Sequence, residues 1–544
     1  MDNLFAELLE QNTPKTNPYI MNSIATVYMK DAEEYIDNVF KSAARSFPKG
    51  LEYLGYEVCT PQEEYNMVTK VRNNERTFDL AKSDLYTVRY KFNFEGKRIP
   101  DRFIYIPYVD DGGIIHLNGT RYHVTPVLSD KVISPSHDNI FVRLLRDKII
   151  FRVCYQTIVV NGESKPCNVV WSRIYRRKAT SKNKVPNTTE AVTTVAHYLF
   201  AKYGFTEAFR KFAGFVPVVG ESDINFESYP EECWTIVQST QVKPRTYIGE
   251  NYFGSNIRLA IPNDKWNPAT ENLVAGFFYI VDHFPTRFNP TMLDIKGIWM
   301  ILMGHIVFSG NFGENRLHDS ISEHFVSLND YVDDSVKNKL KEIGYNIEDF
   351  YDLLALIMME FNDLVMKSGN NSTSMYGKNL EVLYYMLLTI TSGIFLMSFD
   401  LGKIQLKRPV TEKDVEKMMN QKLKPRAIFD ITNNGIILEN VSYSGDSKYA
   451  TLTSKIVEQE GSSGGKRGKP RRAVVGENKH IDTSMVEAGS ILYLSKNNPT
   501  PTNRINPYVN IDISTGTILP NPKFVELIHH TTNLLKGKIK LADI

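Results

Sequence analysis

An α+β fold divided among several regions is what the sequence predicts, and three observations carry that expectation. Residues 86–94 alternate apolar and polar side chains as strands do and strand signals continue to 171, the chain beyond Ala191 turns to helical spacing, and Gly-, Ser- and Asn-rich breaks separate the blocks. With 544 residues there is room for two to four domains and a large buried core.

Residues 22–47 read as one helix, with Ala32, Tyr35, Ile36, Val39 and Phe40 on a single face. Tyr86, Val88, Tyr90, Phe92 and Phe94 then alternate with polar residues, and Glu95-Gly96 turns the chain into RFIYIPYV. In DDGGIIHLNGTRYHVTPVLSDKVISP, Asp110 to Pro135, Gly112-Gly113 and Asn118-Gly119 offer the positive φ angles of tight turns. Strands continue to Trp171, after which RRKATSKNKVPNTTE reads as a basic surface loop. The clearest helix is NIEDFYDLLALIMMEFNDLVM: Phe350, Leu353, Leu354, Ile357, Phe361, Leu364 and Val365 share a face, and Asn346 is the expected cap.

Val382 to Phe399 runs without a charge for about the minimum length of a membrane span. It carries Thr389, Thr391, Ser392, Gly393 and Ser398 and lacks a cluster of Lys or Arg at one end, so it reads as a buried helix instead.

Lys+Arg 64 against Asp+Glu 62 leaves the chain nearly neutral, so any nucleic-acid surface has to be a local patch. Cys59, Cys154, Cys167 and Cys233 lack the paired short spacing of a zinc site or a disulfide scaffold, which fits a reducing compartment, and the acidic N-terminus does not look like a signal peptide. The stretch EQEGSSGGKRGKPRR, Glu458 to Arg472, places Lys466, Arg467, Lys469, Arg471 and Arg472 on a Gly/Ser background. Two readings of it stand: a solvated linker, or a basic segment that tracks phosphates.

Candidate chemistry is sparse. His305, His318 and His324 with Glu314 and Glu323 match no familiar metal spacing, and the adjacent His529-His530 diverge on any regular element. Asp110-Asp111 and Asp333-Asp334 sit in no magnesium pattern, and no nucleophile elbow, phosphate loop or dinucleotide fingerprint is present. The expectation is a chain without a complete catalytic centre and with no cofactor of its own.

Three segments carry a family resemblance. GGIIHLNGTRYHV resembles the Gly-Gly-x-Phe-Ile-Ile-Asn-Gly-x-Glu-(Arg/Lys)-Val run of the second-largest (β) subunit of multisubunit DNA-directed RNA polymerases, with Gly112, Gly113, Ile115, Asn118, Gly119 and Val124 on the pattern and His116 and Tyr122 off it. SMYGKNLEVLYYMLL is similar to that family's Asp-His-Tyr-Gly-Asn-Lys-Arg-Leu-(Asp/Glu)-Leu segment through Tyr376, Gly377, Leu380 and Glu381, although Lys378 and Asn379 stand in swapped order and the acids before the Tyr are missing. NRINPYVNIDISTGTILPNPKFVELIHHT resembles the Arg-Arg-Leu-Asn-(Ser/Thr)-Pro stretch and the Gly…Lys-Pro-Arg…Leu-His segment after it, Arg504, Asn506, Pro507, Gly516 and His529 matching and Asn503 replacing the first arginine. YLSKNNPTPTNR, just before, is similar to the rifamycin-binding region of bacterial enzymes.

The resemblance implies a split β subunit of giant-bacteriophage type, N-terminal half, since the family's later Thr-Pro-Glu-Gly motif and nucleotide-contacting lysines are not in this chain. It implies protrusion-like (1–150 and 371–460), lobe-like (151–370) and fork-like (461–544) regions. Arg504 would contact phosphate or RNA, with Asp512 as its alternative ion-pair partner. Lys496, Asn497, Asn498 and Asn506 would line the same wall, and Lys466, Arg467, Lys469, Arg471 and Arg472 would follow the hybrid. Expected partners are the C-terminal half of β, β′-like subunits that hold the Mg2+, a promoter-specificity subunit, DNA template and RNA transcript, with no membrane. The expected location is the cytoplasm of an infected bacterium, packaging in the virion being the other option. Such a half would expose an apolar joining surface and be poorly soluble alone. The competing readings are a phage structural or scaffolding protein and a stand-alone single-stranded nucleic-acid binder.

Overall fold

The structure, a computed structural model, describes residues 13–536 except 72–83, 118, 130, 137–138, 145–147, 173, 175–192, 241–253, 309–311, 329–330, 333, 368–373, 426, 430–437, 442–455, 459–482, 490–501 and 504. It is a mixed α+β chain with several largely antiparallel sheets. Two compact units divide it: Met1–Lys131 with Asn371–Ile544, and Val132–Asn370. The basic connector at 176–190 lies outside the described residues.

In the first unit the helix Ala32–Ala44 lies on a sheet of Leu51–Val58, Leu85–Phe94, Lys97–Arg98 and Arg102–Pro107. The alternation read in the sequence sets its inner face, for Val88, Tyr90 and Phe92 are fully buried and Phe40 stacks among Tyr53, Tyr90 and Phe92 at 5.0, 5.0 and 5.3 Å. Glu95 and Gly96, at φ 50° and 76°, make the tight turn. The helix does not run unbroken from residue 22, however. Ser23 sits at φ 66°, Ala25–Tyr28 is a single turn, and a 3-10 turn at Met29–Asp31 precedes Ala32. Tertiary contact overrides local propensity there, because Gly112 N–H donates to Asn22 Oδ1 (3.0 Å) and Gly113 lies against Ser23, where a Cβ would come within 2.4 Å of Oγ.

The hairpin Ile114–Leu117/Thr120–Val124 pairs Leu117 with Thr120, with Gly119 at φ 77°, and Leu438–Asn440 adds a third strand; Asn118 lies outside the described residues. The departing His116 sits between two carboxylates, its Nδ1 2.9 Å from Asp84 and 3.5 Å from Asp110.

A six-stranded sheet then collects distant pieces in the order Thr502–Asn503, Ile456–Glu458, Val127–Ser129, Asn379–Glu381, Thr517–Leu519 and Asn510–Asp512, parallel only between Ile456–Glu458 and Val127–Ser129. The uncharged run forms Leu383–Met386 and Leu388–Gln405, with Ile390, Ile394, Phe395, Met397 and Leu401 buried. Among the described residues no helix is long and apolar enough to cross a membrane.

The second unit has an eight-stranded sheet built around the long hairpin Lys148–Val160/Glu163–Ser172, turned by Asn161 and Gly162 at φ 49° and 87°. Helices Val195–Tyr203, Pro268–His283 and Phe350–Met359 share its core, where Phe200 packs with Phe205, Phe209, Phe277 and Trp299. The predicted face of the last helix is buried, but its cap is Asp349 rather than Asn346. The Asp349 carboxylate accepts from Tyr351 N and Asp352 N, both at 2.8 Å, and the helix breaks at Glu360 before resuming as Phe361–Lys367. His324 is buried with Nε2 3.1 Å from the Tyr198 hydroxyl, and His197 Nε2 lies 2.8 Å from Trp299 O. Among the described residues no three His, Cys, Asp or Glu side chains are gathered to hold a metal.

Burial lowers His197 to about 4 and His324 to about 3. An unfolded histidine takes up its proton near 6.5, so these two contribute full stability above that pH and lose it as pH falls toward 4, at about 1.4 kcal/mol per pH unit each. Urea midpoints measured between pH 7 and pH 4.5 are expected to fall accordingly. A His324→Gln variant, which keeps an acceptor for Tyr198, should show a flatter profile.

Candidate nucleic-acid interface

Of the residues the sequence singled out, Lys466, Arg467, Lys469, Arg471, Arg472, Lys496, Asn497, Asn498 and Arg504 lie outside the described residues. Asn506 lies inside them, just after a bridge between Gly489 and Ile505. Its N–H donates to Ala488 O (2.8 Å) and its Oδ1 accepts from Tyr508 N (3.0 Å), the two-residue side-chain turn that Asn favours before Pro. Its Nδ2 also reaches Glu487 O at 3.4 Å. The half-buried amide therefore shapes this turn first, keeping one N–H and part of its carbonyl capacity for a ligand.

Around that turn the second and third resemblance segments meet. Gly377 N–H donates to Ile518 O (3.0 Å), Ile518 N–H to Lys378 O (2.9 Å) and Leu380 N–H to Gly516 O (2.8 Å). Thr517 Oγ1 donates to Asn379 Oδ1 (2.9 Å). Gly516, at φ 72°, lets the two strands touch: a Cβ there would lie 2.5 Å from Leu380 O and 3.1 Å from the Tyr28 hydroxyl. On its other side Leu380 pairs with Leu128, a few residues beyond the first segment's hairpin.

The N-terminal segment straps these parts together. Asn17 N–H donates to Pro507 O (2.7 Å) and its Nδ2 to Val509 O (3.0 Å), while the Tyr28 hydroxyl donates to Ile513 O (3.0 Å). Asn22, between them, holds Gly112. Burial, then the Asp512 and Glu381 carboxylates, push the Tyr28 hydroxyl well above its ordinary range, so it stays a donor. Asp512 accepts from Ser514 N (3.0 Å) and Oγ (2.7 Å), and these bonds hold its carboxyl below the usual range.

Glu487 was not anticipated. It is 7% exposed, accepts from the Tyr376 hydroxyl at 2.8 Å through Oε2, and has Oε1 3.4 Å from His529 Nε2. It thus joins one residue of the second segment to one of the third. The only hint in the sequence was the missing acid before Tyr376; Glu487 brings a carboxylate to that tyrosine from 111 residues away. Beside it Met375 N–H donates to Ser484 Oγ (2.8 Å). Lys131 folds over Gly377, where a Cβ would lie 3.0 Å from the ammonium nitrogen. With the Tyr376 hydroxyl and the Met375 N–H engaged inside the site, one N–H of the Asn506 amide and the Lys131 ammonium remain to meet an anionic chain.

Replacing Gly516 by Ala combines a left-handed backbone with a collision against Leu380 O, together costing about 2–4 kcal/mol. Gly96, at φ 76° with open space where a Cβ would stand, is the control for backbone strain alone. Gly96→Ala is expected to cost about 1–2 kcal/mol. Thermal melting of the two variants should separate them in that order.

No individual curated protein matches this chain. A family model described as non-virion RNA polymerase subunit matches residues 1–529, a span that reaches into both units and includes every matching residue of the three segments above. The chain belongs to the family of non-virion RNA polymerase subunits.

Proposed function

We propose that this chain corresponds to the N-terminal half of β in a bacteriophage DNA-directed RNA polymerase and forms one wall of the cleft that holds template and transcript. Membership of the family makes it part of an RNA polymerase, with other subunits of that enzyme as partners. The observation that carries the finer reading is convergence. Gly112 and Gly113, Tyr376 to Glu381, and Asn506 to His529 come from three places in the sequence and lie in one unit: direct bonds join the second to the third, and the segment 17–28 bonds both Gly112 and the third. A family likeness in order along the chain gains weight when the like segments also assemble together.

In this reading residues 151–370 supply the lobe-like region, 1–150 and 371–460 the protrusion-like region and 461–544 the fork-like region. Arg504 holds a phosphate or the RNA, because a planar guanidinium bonds two phosphate oxygens at once where an ammonium offers a point charge. Lys496, Asn497, Asn498 and Asn506 add contacts to the same wall, and Lys466 to Arg472 follow the hybrid by charge. Two Mg2+ ions held by aspartates of the largest subunit would carry out nucleotidyl transfer, and this chain would keep the strands in register for it. The enzyme would act in the cytoplasm of the infected host. Leu527, Leu519 and Val486 are 49%, 43% and 42% exposed around the helix Pro522–Leu535, an apolar surface that fits a joint with another subunit.

Native mass spectrometry of the complex purified through this chain is expected to find a partner bearing an Asn-Ala-Asp-Phe-Asp-Gly-Asp motif. A homo-oligomer or a lone monomer overturns the proposal. In that complex, Arg504→Ala should shorten the lifetime of stalled elongation complexes by about tenfold, the loss of a charge-assisted bond of about 1.5 kcal/mol, with Arg504→Lys in between.

A further inference from the structure

The helix Glu412–Lys422 is fastened at both ends and along one face. Thr411 and Asp414 form a capping box at its start, and Arg408 grips the Asp414 carboxylate with two nitrogens at 2.7 and 2.8 Å. Val415 and Met419 are fully buried beneath it. Near its end Lys422 pairs with Asp400 (2.9 Å), Lys422 O lies so close to Gly393 that a Cβ there would be 2.4 Å away, and Tyr105 N–H donates to Pro425 O (3.1 Å).

The opposite face is exposed and basic. Lys413 and Lys417, one turn apart, are followed by Asn420, spacings of four and three that keep them on one helix face, and the exposed Lys424 stands two residues beyond the helix end. Arg102 donates to Asn420 Oδ1 at 2.7 Å and fixes its amide. The cations at the flanks, Arg408 and Lys422, are neutralised by Asp414 and Asp400. Among the described residues Lys413, Lys417 and Lys424 have no such partner. Two acids flank that side of the helix: Glu412 is exposed beside Lys413, and the half-buried Glu416 acts by its charge on Arg102.

We propose that this stripe is a phosphate-tracking surface for nucleic acid, additional to the basic segments at 466–472 and 496–506. It rests on the chain's place in an RNA polymerase and not on its correspondence to half of β. From Lys413 to Asn420 the helical part of the stripe is about 10 Å long. That part runs beside roughly three phosphates of one strand, each about 3.4 Å apart along a duplex axis, and Lys424 follows past the helix end. A protein partner is the poorer fit, since lysines are depleted at the centres of protein interfaces and the stripe presents no aromatic or aliphatic anchor. Contacts of this kind carry no base information and let the strand slide, as an enzyme that steps along DNA requires.

The test uses the assembled polymerase purified through this chain, with fluorescein-labelled duplex and single-stranded DNA of arbitrary sequence, titrated by anisotropy over a series of salt concentrations. Replacing all three residues (Lys413→Gln, Lys417→Gln, Lys424→Gln) should lower the slope of log affinity against log salt by up to about 2.7 for duplex or about 2 for a single strand. At the lowest salt the affinity should fall at least about tenfold. The matching Lys→Arg variant should bind as the parent does, and melting should not change, since all three side chains are exposed. An unchanged slope overturns the proposal. So does loss of another subunit from the complex with DNA binding intact, which would make the stripe a protein-docking face. Arg504→Ala in the same assay separates the two readings: a loss there with an unaffected stripe variant sinks the stripe alone, and the reverse sinks the cleft assignment of Arg504 alone.

Discussion

The first unit depends on one close approach, the strand at 377–380 lying against 516–518 with Gly516 under the Leu380 carbonyl. No other residue type gives the chain both the left-handed backbone and the missing Cβ needed there. Once those strands meet, Asn379–Glu381 has Val127–Ser129 on its far side and Ile456–Glu458 beyond that, so a single sheet is assembled from residue 127 to residue 519. Such a sheet closes several long loops, and that loop-closure entropy has to be met by the pairing it creates. The other unit needs less coordination, because its long hairpin closes through Asn161-Gly162 and its helices succeed one another along the chain.

The strap at residues 17–28 shows how the unit holds its parts in register. Asn17 and Tyr28 bind the backbone of Pro507, Val509 and Ile513, while Asn22 accepts from Gly112 N–H and Ser23 packs against Gly113. Almost all of these bonds go to main-chain atoms, which fixes position without depending on which side chains are nearby. A wall for a nucleic-acid chain has that same requirement, a stiff frame carrying polar groups at set places.

How much of this was legible in the sequence depended on the distance over which a signal acts. The strand Leu85–Phe94 and its turn at Glu95-Gly96 were readable because alternation and turn chemistry are local, and the buried run at 382–399 because its polar residues argued against lipid. The helix start at Phe350 was misplaced by three residues, since Asn346 and Asp349 are both good caps and only the latter points its carboxylate at two free N–H groups. The break at Ser23 was invisible because it answers to Gly113, ninety residues on. Glu487 was missed for a related reason: nothing near residue 487 says that a tyrosine at 376 lacks an acid. Of the residues chosen for contact with nucleic acid, Asn506 alone is described, and it holds its own turn.

Near-neutrality organises what remains. Many cations of the described chain are spent internally: Arg89 lies among Glu57, Glu63 and Asp101, Lys165 on Glu271, Lys211 on Asp352, Lys422 on Asp400 and Arg408 on Asp414. Exposed pairs of this sort add little stability, so their effect is to cancel the long-range field. Against that background a few unneutralised lysines on a rigid helix stand out to a polyanion more sharply than they would on a generally basic surface. A polymerase subunit would gain from the difference, because a diffuse positive field would hold DNA wherever it touched, whereas a short stripe of the kind proposed would hold one strand along one line and release it as the next phosphate arrived.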